Sequence, residues 1–127
     1  MSNPILTAFN NQFVEFIEDI LRLFPGDKDL LLSKNGILTL KKGNPKLLIQ
    51  IWKQFIADVY LKEIQEGDIS FFIEKDYTND VQLLESDKVV EVINRLRNPI
   101  REMDQTNRDA CMKYIQNMTK LTQMYFK

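Results

Sequence analysis

The chain has 127 residues, enough for one domain of common size, and 44% of them are hydrophobic, so it can bury a core. The formal net charge is -1 with a pI near 5.5, which gives no global argument for a nucleic-acid binder. A single cysteine, Cys111, excludes an internal disulfide, and the absence of histidine removes the usual proton carrier near neutral pH.

Leu6, Phe9, Phe13, Phe16, Ile20 and Leu23 recur every three or four residues, with Ile17 and Phe24 widening the stripe. This predicts a first amphipathic helix, started by Asn3 and Pro4 and ended by Pro25-Gly26. A second helix follows from Asp27 or Asp29 as cap, with Leu30, Leu31, Ile37, Leu38 and Leu40 as apolar positions. Asn35-Gly36 is a turn signal within it, and Lys41-Lys42-Gly43 suits its end.

Asn44 as N-cap and Pro45 at the first position then predict a third helix. Its apolar face is Leu48, Ile51, Trp52, Phe55, Val59 and Tyr60, and Gly67 stops it. Asp68 suits the cap of a short fourth helix carrying Ile69, Phe71, Phe72 and Ile73. Residues 75–87 read as a polar connection anchored by Tyr77, Val81, Leu83 and Leu84. Ser86 or Asp87 caps a fifth helix through Val89, Val90, Ile93 and Leu96, with a kink or break expected at Arg97–Asn98, ahead of Pro99. A last helix starts near Asp104 or Thr106, with Cys111, Ile115, Met118, Leu121 or Thr122, and Tyr125 as its seam.

The expectation is an all-α, single-domain chain over residues 1–127: a compact bundle of five to six amphipathic helices. Short loops around 25–27 and 42–45 place the first three helices side by side. No window is apolar enough to span a membrane, and the N-terminal Met1-Ser2-Asn3-Pro4 lacks the features of a secretory leader. The protein is therefore expected to be neither membrane-spanning nor secreted.

The chemical repertoire is narrow. Without histidine, a Ser-His-Asp or Cys-His nucleophile system cannot form, and the common zinc ligand sets are excluded. No P-loop or dinucleotide-binding glycine pattern occurs. The run Asp76–Asp80 lacks the central Gly and closing Glu of a calcium loop. The carboxylate pairs, Glu15 with Glu18 or Asp19 and Glu63 with Glu66, read as solvated helix faces before they read as acid/base or Mg²⁺ sites. Cys111 reads as a small buried hydrophobe rather than a thiolate tuned by Arg108 or Lys113. Trp52 reads as core, with a partner anchor as the alternative. No catalytic residue, metal site or cofactor is expected, and the chain reads as a non-enzyme.

Charge is distributed in blocks. Residues 27–56 carry six bases and two acids, residues 57–91 three bases and ten acids, and residues 92–127 seven bases and three acids. Two basic groups follow. Lys41, Lys42, Lys46 and Lys53 gather across a helix junction, while Arg95, Arg97, Arg101 and Arg108 lead to Lys113, Lys120 and Lys127 at seven-residue spacing. Such stripes could follow a phosphate backbone, face solvent, or meet the acidic block. The aromatic interleaving of single-strand binders is missing.

Extended segments carry a resemblance. Phe9-Asn10-Asn11-Gln12-Phe13-Val14-Glu15-Phe16-Ile17-Glu18-Asp19-Ile20 leads into Phe24-Pro25. Asn44-Pro45-Lys46-Leu47-Leu48, Trp52-Lys53, Gly67-Asp68-Ile69-Ser70-Phe71-Phe72, Lys75-Asp76-Tyr77 and Lys113 to Leu121 follow. Together these resemble a family of small proteins of nucleocytoplasmic large DNA viruses, the giant viruses. The resemblance implies a virion or viral-factory protein in host cytoplasm, and it brings no activity and no site residue. The expected function is a helical protein–protein interaction or assembly module, through a protein partner or self-association. The alternative is a nucleic-acid-associated protein using the basic groups at Lys41–Lys53 and Arg95–Lys127.

Overall fold

The computed structural model describes residues 3–74 and 84–127, and every regular element among them is helical. In chain order these are α1 (Pro4–Leu23), α2 (Lys28–Gly43), α3 (Leu47–Trp52), a π-helical turn (Lys53–Ala57), α4 (Asp58–Glu66), α5 (Ser70–Glu74), α6 (Leu84–Glu102) and α7 (Gln105–Tyr125). Since α3, the π turn and α4 run on without a gap, residues 47–66 act as one bent helix.

Local chemistry sets most boundaries. The Asn3 side chain accepts from the backbone N–H of Ile5 and Leu6 ahead of Pro4, so α1 starts where expected. Asp27 accepts from Leu30 N–H and caps α2, and Asp104 accepts from Asn107 N–H and caps α7. Gly67 ends α4 with φ +74, a left-handed conformation that favours glycine. Asp68 then takes the backbone N–H and hydroxyl of Ser70.

Four sequence expectations are corrected. Asn44 is the C-cap of α2, donating its N–H to Leu40 carbonyl, and the next helix starts only at Leu47, after a turn closed by Leu47 N–H on Asn44 carbonyl. Helix α2 runs unbroken through Gly36, so the Asn35-Gly36 turn signal does not interrupt it. Helix α6 runs from Leu84 through buried Pro99 to Glu102, so there is no break at Arg97–Asn98 and Ser86 and Asp87 lie inside the helix. Of the polar connection expected over 75–87, residues 84–87, with the anchor Leu84, belong instead to the first turn of α6, while residues 75–83, including the Asp76–Asp80 run, lie outside the described residues, as do the side chains of Val89 and Val90.

The core is built on the α1 stripe. Phe9, Phe13, Phe16, Ile17 and Ile20 are fully or almost fully buried, whereas Leu23 is 46% exposed at the helix end. Phe9 and Phe13 meet Trp52 edge-on at 6.2 and 5.9 Å, and Phe16 meets Phe72 at 6.5 Å and stacks on Tyr114 at 5.4 Å. One face of α1 thus holds α3, α5 and α7. Buried Trp52 donates its indole N–H to the Thr119 hydroxyl at 3.0 Å, joining α3 to α7. Ile93, Leu96 and Ile100 of α6 and Ile115 and Met118 of α7 complete the core.

Candidate docking surface

Helix α2 buries little of its apolar content. Leu30 and Ile37 are fully buried and Leu40 partly so, yet Leu31, Leu32 and Leu38 are 50%, 58% and 37% exposed. The helical turn explains the division. At roughly 100° per residue, Leu30 and Ile37 share one strip facing the core, and residues one position later fall on a neighbouring strip facing away. Two outward strips result. Leu31, Asn35, Leu38 and Lys42 form one, Leu32, Gly36, Thr39 and Gly43 the other, and all eight residues are exposed.

The second strip is low. A Cβ placed on Gly36 or Gly43 would meet nothing within 4 Å. The Thr39 hydroxyl donates back to Asn35 carbonyl at 3.1 Å, so its polar atom is already engaged. That strip therefore carries Leu32 among small residues, while Leu31 and Leu38 lie roughly 100° or more around the helix; exposed Lys28 and Asp29 stand at its start, and exposed Lys42 and Lys46 at and beyond its end. None of these three lysines makes an ion pair among the described residues.

The rest of the first basic group is engaged within the fold. Lys41 donates to Asn11 Oδ1 at 2.6 Å, and Lys34 pairs with Glu18 at 3.2 Å. Lys53 pairs with Asp58 at 2.7 Å and lies 5.5 Å from the Phe126 ring centre. In the second group, Arg101 donates to Asn98 Oδ1 at 3.0 Å and to the Ile73 carbonyl. Arg108 donates to the Ile100 carbonyl at 3.3 Å and to the Arg101 carbonyl. Arg108 thus holds the C-terminal turn of α6, where helix carbonyls lack intrahelical partners and cations are favoured, and Arg101 ties α6 to α5. Arg95 and Arg97 are half-buried, while Lys113 and Lys120 are exposed along α7. The structure thus brings Arg101 and Arg108 together, but on backbone carbonyls.

Other hollows hold little reactive chemistry. A groove of about 340 Å³ between α4 and α7 is lined by Leu61, Ile64, Gln65, Gln116, Thr119 and Lys120. A smaller hollow of about 130 Å³ contains Asp19, Cys111 and Tyr114. Burial there pushes the Cys111 thiol up to about 12, with the Asp19 charge adding to it, so the thiolate is suppressed at neutral pH. Cys111 is 5% exposed, with its sulfur 3.6 Å from Met103 Sδ. Burial also raises Tyr114 to about 12, reinforced by the hydrogen bond it donates to Asp19. Asp68 is held below the usual carboxylate range, first by the Ser70 hydroxyl and then by the Ser70 backbone N–H. The described residues contain no cluster of three or more His, Cys, Asp or Glu placed to hold a metal ion, and no described helix is long and apolar enough to cross a membrane. Of the carboxylate pairs, Glu18 and Asp19 turn to Lys34 and Arg22, and Glu63 is half-buried.

Of the outward leucines, Leu31 and Leu38 count among the apolar positions of α2 in the sequence and Leu32 does not; which strip the core covers is the missed signal. Leu31 and Leu38 repeat at seven residues, as Leu30 and Ile37 do, so a single helix carries two adjacent apolar strips and a small core can cover only one. No known protein family, curated protein or solved structure matches the chain.

Proposed function

We propose that the protein is a non-enzymatic interaction module that docks another protein on the outward face of α2. The observation that carries this reading is the exposure of Leu31, Leu32 and Leu38 on a helix whose inner side buries Leu30 and Ile37. Exposed apolar residues gathered on one helix are candidates for a protein-binding surface. The setting we propose for that partner, a virion or viral factory, follows from the giant-virus resemblance and belongs to the same proposal. A nucleic-acid role has less support, because Lys41, Lys53, Arg101 and Arg108 are tied to intramolecular acceptors.

The test is nuclease-treated affinity capture of tagged protein from its native cells, comparing wild type with a Leu31→Glu/Leu38→Glu variant. A stoichiometric protein partner held by wild type and lost by the variant supports the reading. Nucleic acid in the eluate, with every protein partner lost on nuclease treatment, overturns it in favour of the basic groups.

A further inference from the structure

The sequence contains one Asn-Gly step, Asn35-Gly36, and the fold places it in the middle of α2. An asparagine side chain carries an electrophilic carbon, Cγ, within reach of the next peptide nitrogen. Glycine in the next position removes the Cβ that would hinder the attack. Both residues are exposed, and a Cβ built on Gly36 would meet nothing within 4 Å, so no neighbouring chain screens the step from water.

Helix is what holds the reaction off. Inside α2 the Gly36 N–H belongs to the hydrogen-bond ladder, where its acceptor is the Leu32 carbonyl. Helical dihedrals also keep Asn35 away from the ψ rotation that brings the Gly36 nitrogen onto Cγ. Attack therefore requires α2 to open around residue 35.

Three observations make that opening local. The buried residues of α2 are Leu30, Ser33 and Ile37, whereas α1 buries residues from Leu6 to Ile20 and α7 from Cys111 to Thr122. The Ser33 hydroxyl is buried without a hydrogen-bond partner among the described residues, so packing leaves a polar group unsatisfied two residues before Asn35. The Thr39 hydroxyl donates to the Asn35 carbonyl at 3.1 Å, a back-bond that weakens helix, and Gly36 is a poor helix former in its own right. Segments with few buried contacts open well below the free energy of global unfolding.

We propose that Asn35 is a deamidation site guarded by α2, so that local opening of this helix is recorded as an irreversible chemical change. On opening, a bond forms between the Gly36 nitrogen and Asn35 Cγ, and the Cγ–Nδ2 bond breaks. Nδ2 leaves as ammonia, carrying the proton that the Gly36 nitrogen loses. Water, the co-reactant, then adds to either carbonyl of the five-membered succinimide and leaves aspartate or isoaspartate at position 35. Both products add a negative charge. Isoaspartate also inserts a methylene into the main chain, and the helical ladder does not re-form across it.

The test is the conversion rate of Asn35 in the full chain near neutral pH. It is followed by intact mass, peptide mapping across residues 28–43 and isoaspartate-specific methylation. Conversion should be about tenfold or more slower in the native protein than in urea, because the open form is a small minority. Ser33→Ala should slow native conversion severalfold and leave the rate in urea unchanged. Leu30→Ala should speed native conversion, and Thr119→Val, which loosens the join between α3 and α7, should not. Should Leu30→Ala fail to fold, amide exchange at Gly36 in the wild type reads the opening directly, and the native conversion rate should rise in step with it as urea is added below the unfolding transition. Equal rates in native protein and urea, or no isoaspartate in urea, would overturn the inference. So would native conversion that ignores Ser33→Ala, or that Thr119→Val accelerates as much as Leu30→Ala does, since the opening would then be global.

Discussion

The indole N–H of Trp52 donates to the hydroxyl of Thr119, 3.0 Å away in the core and 67 residues distant in sequence. Both residues are buried, so neither atom has water as a substitute. The Thr119→Val variant preserves shape and removes the acceptor, leaving a buried donor unsatisfied. We expect a loss of about 1–3 kcal/mol in urea denaturation, read through Trp52 fluorescence. An unchanged midpoint would mean that the bond contributes nothing to the join between α3 and α7.

Two glycines should respond in opposite senses. Gly36→Ala removes backbone freedom from the unfolded chain at a position with room for a methyl group, and should stabilise the protein by about 0.5–1 kcal/mol. Gly67→Ala forces alanine into φ +74 and should destabilise by about 1 kcal/mol or more. Paired thermal melts read both signs. A destabilising Gly36→Ala would show that the fold itself needs glycine there.

Alkaline stability should depend on the hollow between α1 and α7. Cys111 and Tyr114 titrate near 12 when folded, against ordinary values of 9.0 and 10.0. Their folded pKa values are raised, so their contribution is fully present below about pH 9 and is lost as pH rises towards 12, where the unfolded chain releases its protons first. Urea midpoints should fall over that window, and Cys111→Ala should flatten the decline. Iodoacetamide should modify Cys111 slowly in the native protein near pH 8 and rapidly in urea. Fast native labelling would contradict the burial of this thiol.

The helical class and the α1 core were legible because Phe9, Phe13 and Phe16 repeat at one helical period and face one way. Caps whose side chain closes its own helix, Asn3, Asp27 and Asp104, were legible for the same local reason. Asn44 was misread because cap and turn chemistry overlap: the same residue type can end one helix or begin another, and Pro45 is compatible with both. A kink or break was expected ahead of Pro99; the break does not occur, since proline is tolerated within helices when packing holds the turn, as burial of Leu96, Pro99 and Ile100 does here. The docking face was hidden in the apolar count of α2, since leucine content does not say which strip the core will cover. The roles of Arg101 and Arg108 depend on carbonyls brought near by folding, and no spacing rule reports those.

The most direct test of the docking face is amide hydrogen exchange on the protein, free and in the complex captured from its native cells. We predict slowed exchange concentrated in residues 28–43, with the α7 residues around Lys113 and Lys120 unchanged. Slowing on α7 with none across α2 would contradict the account and place the partner on another surface.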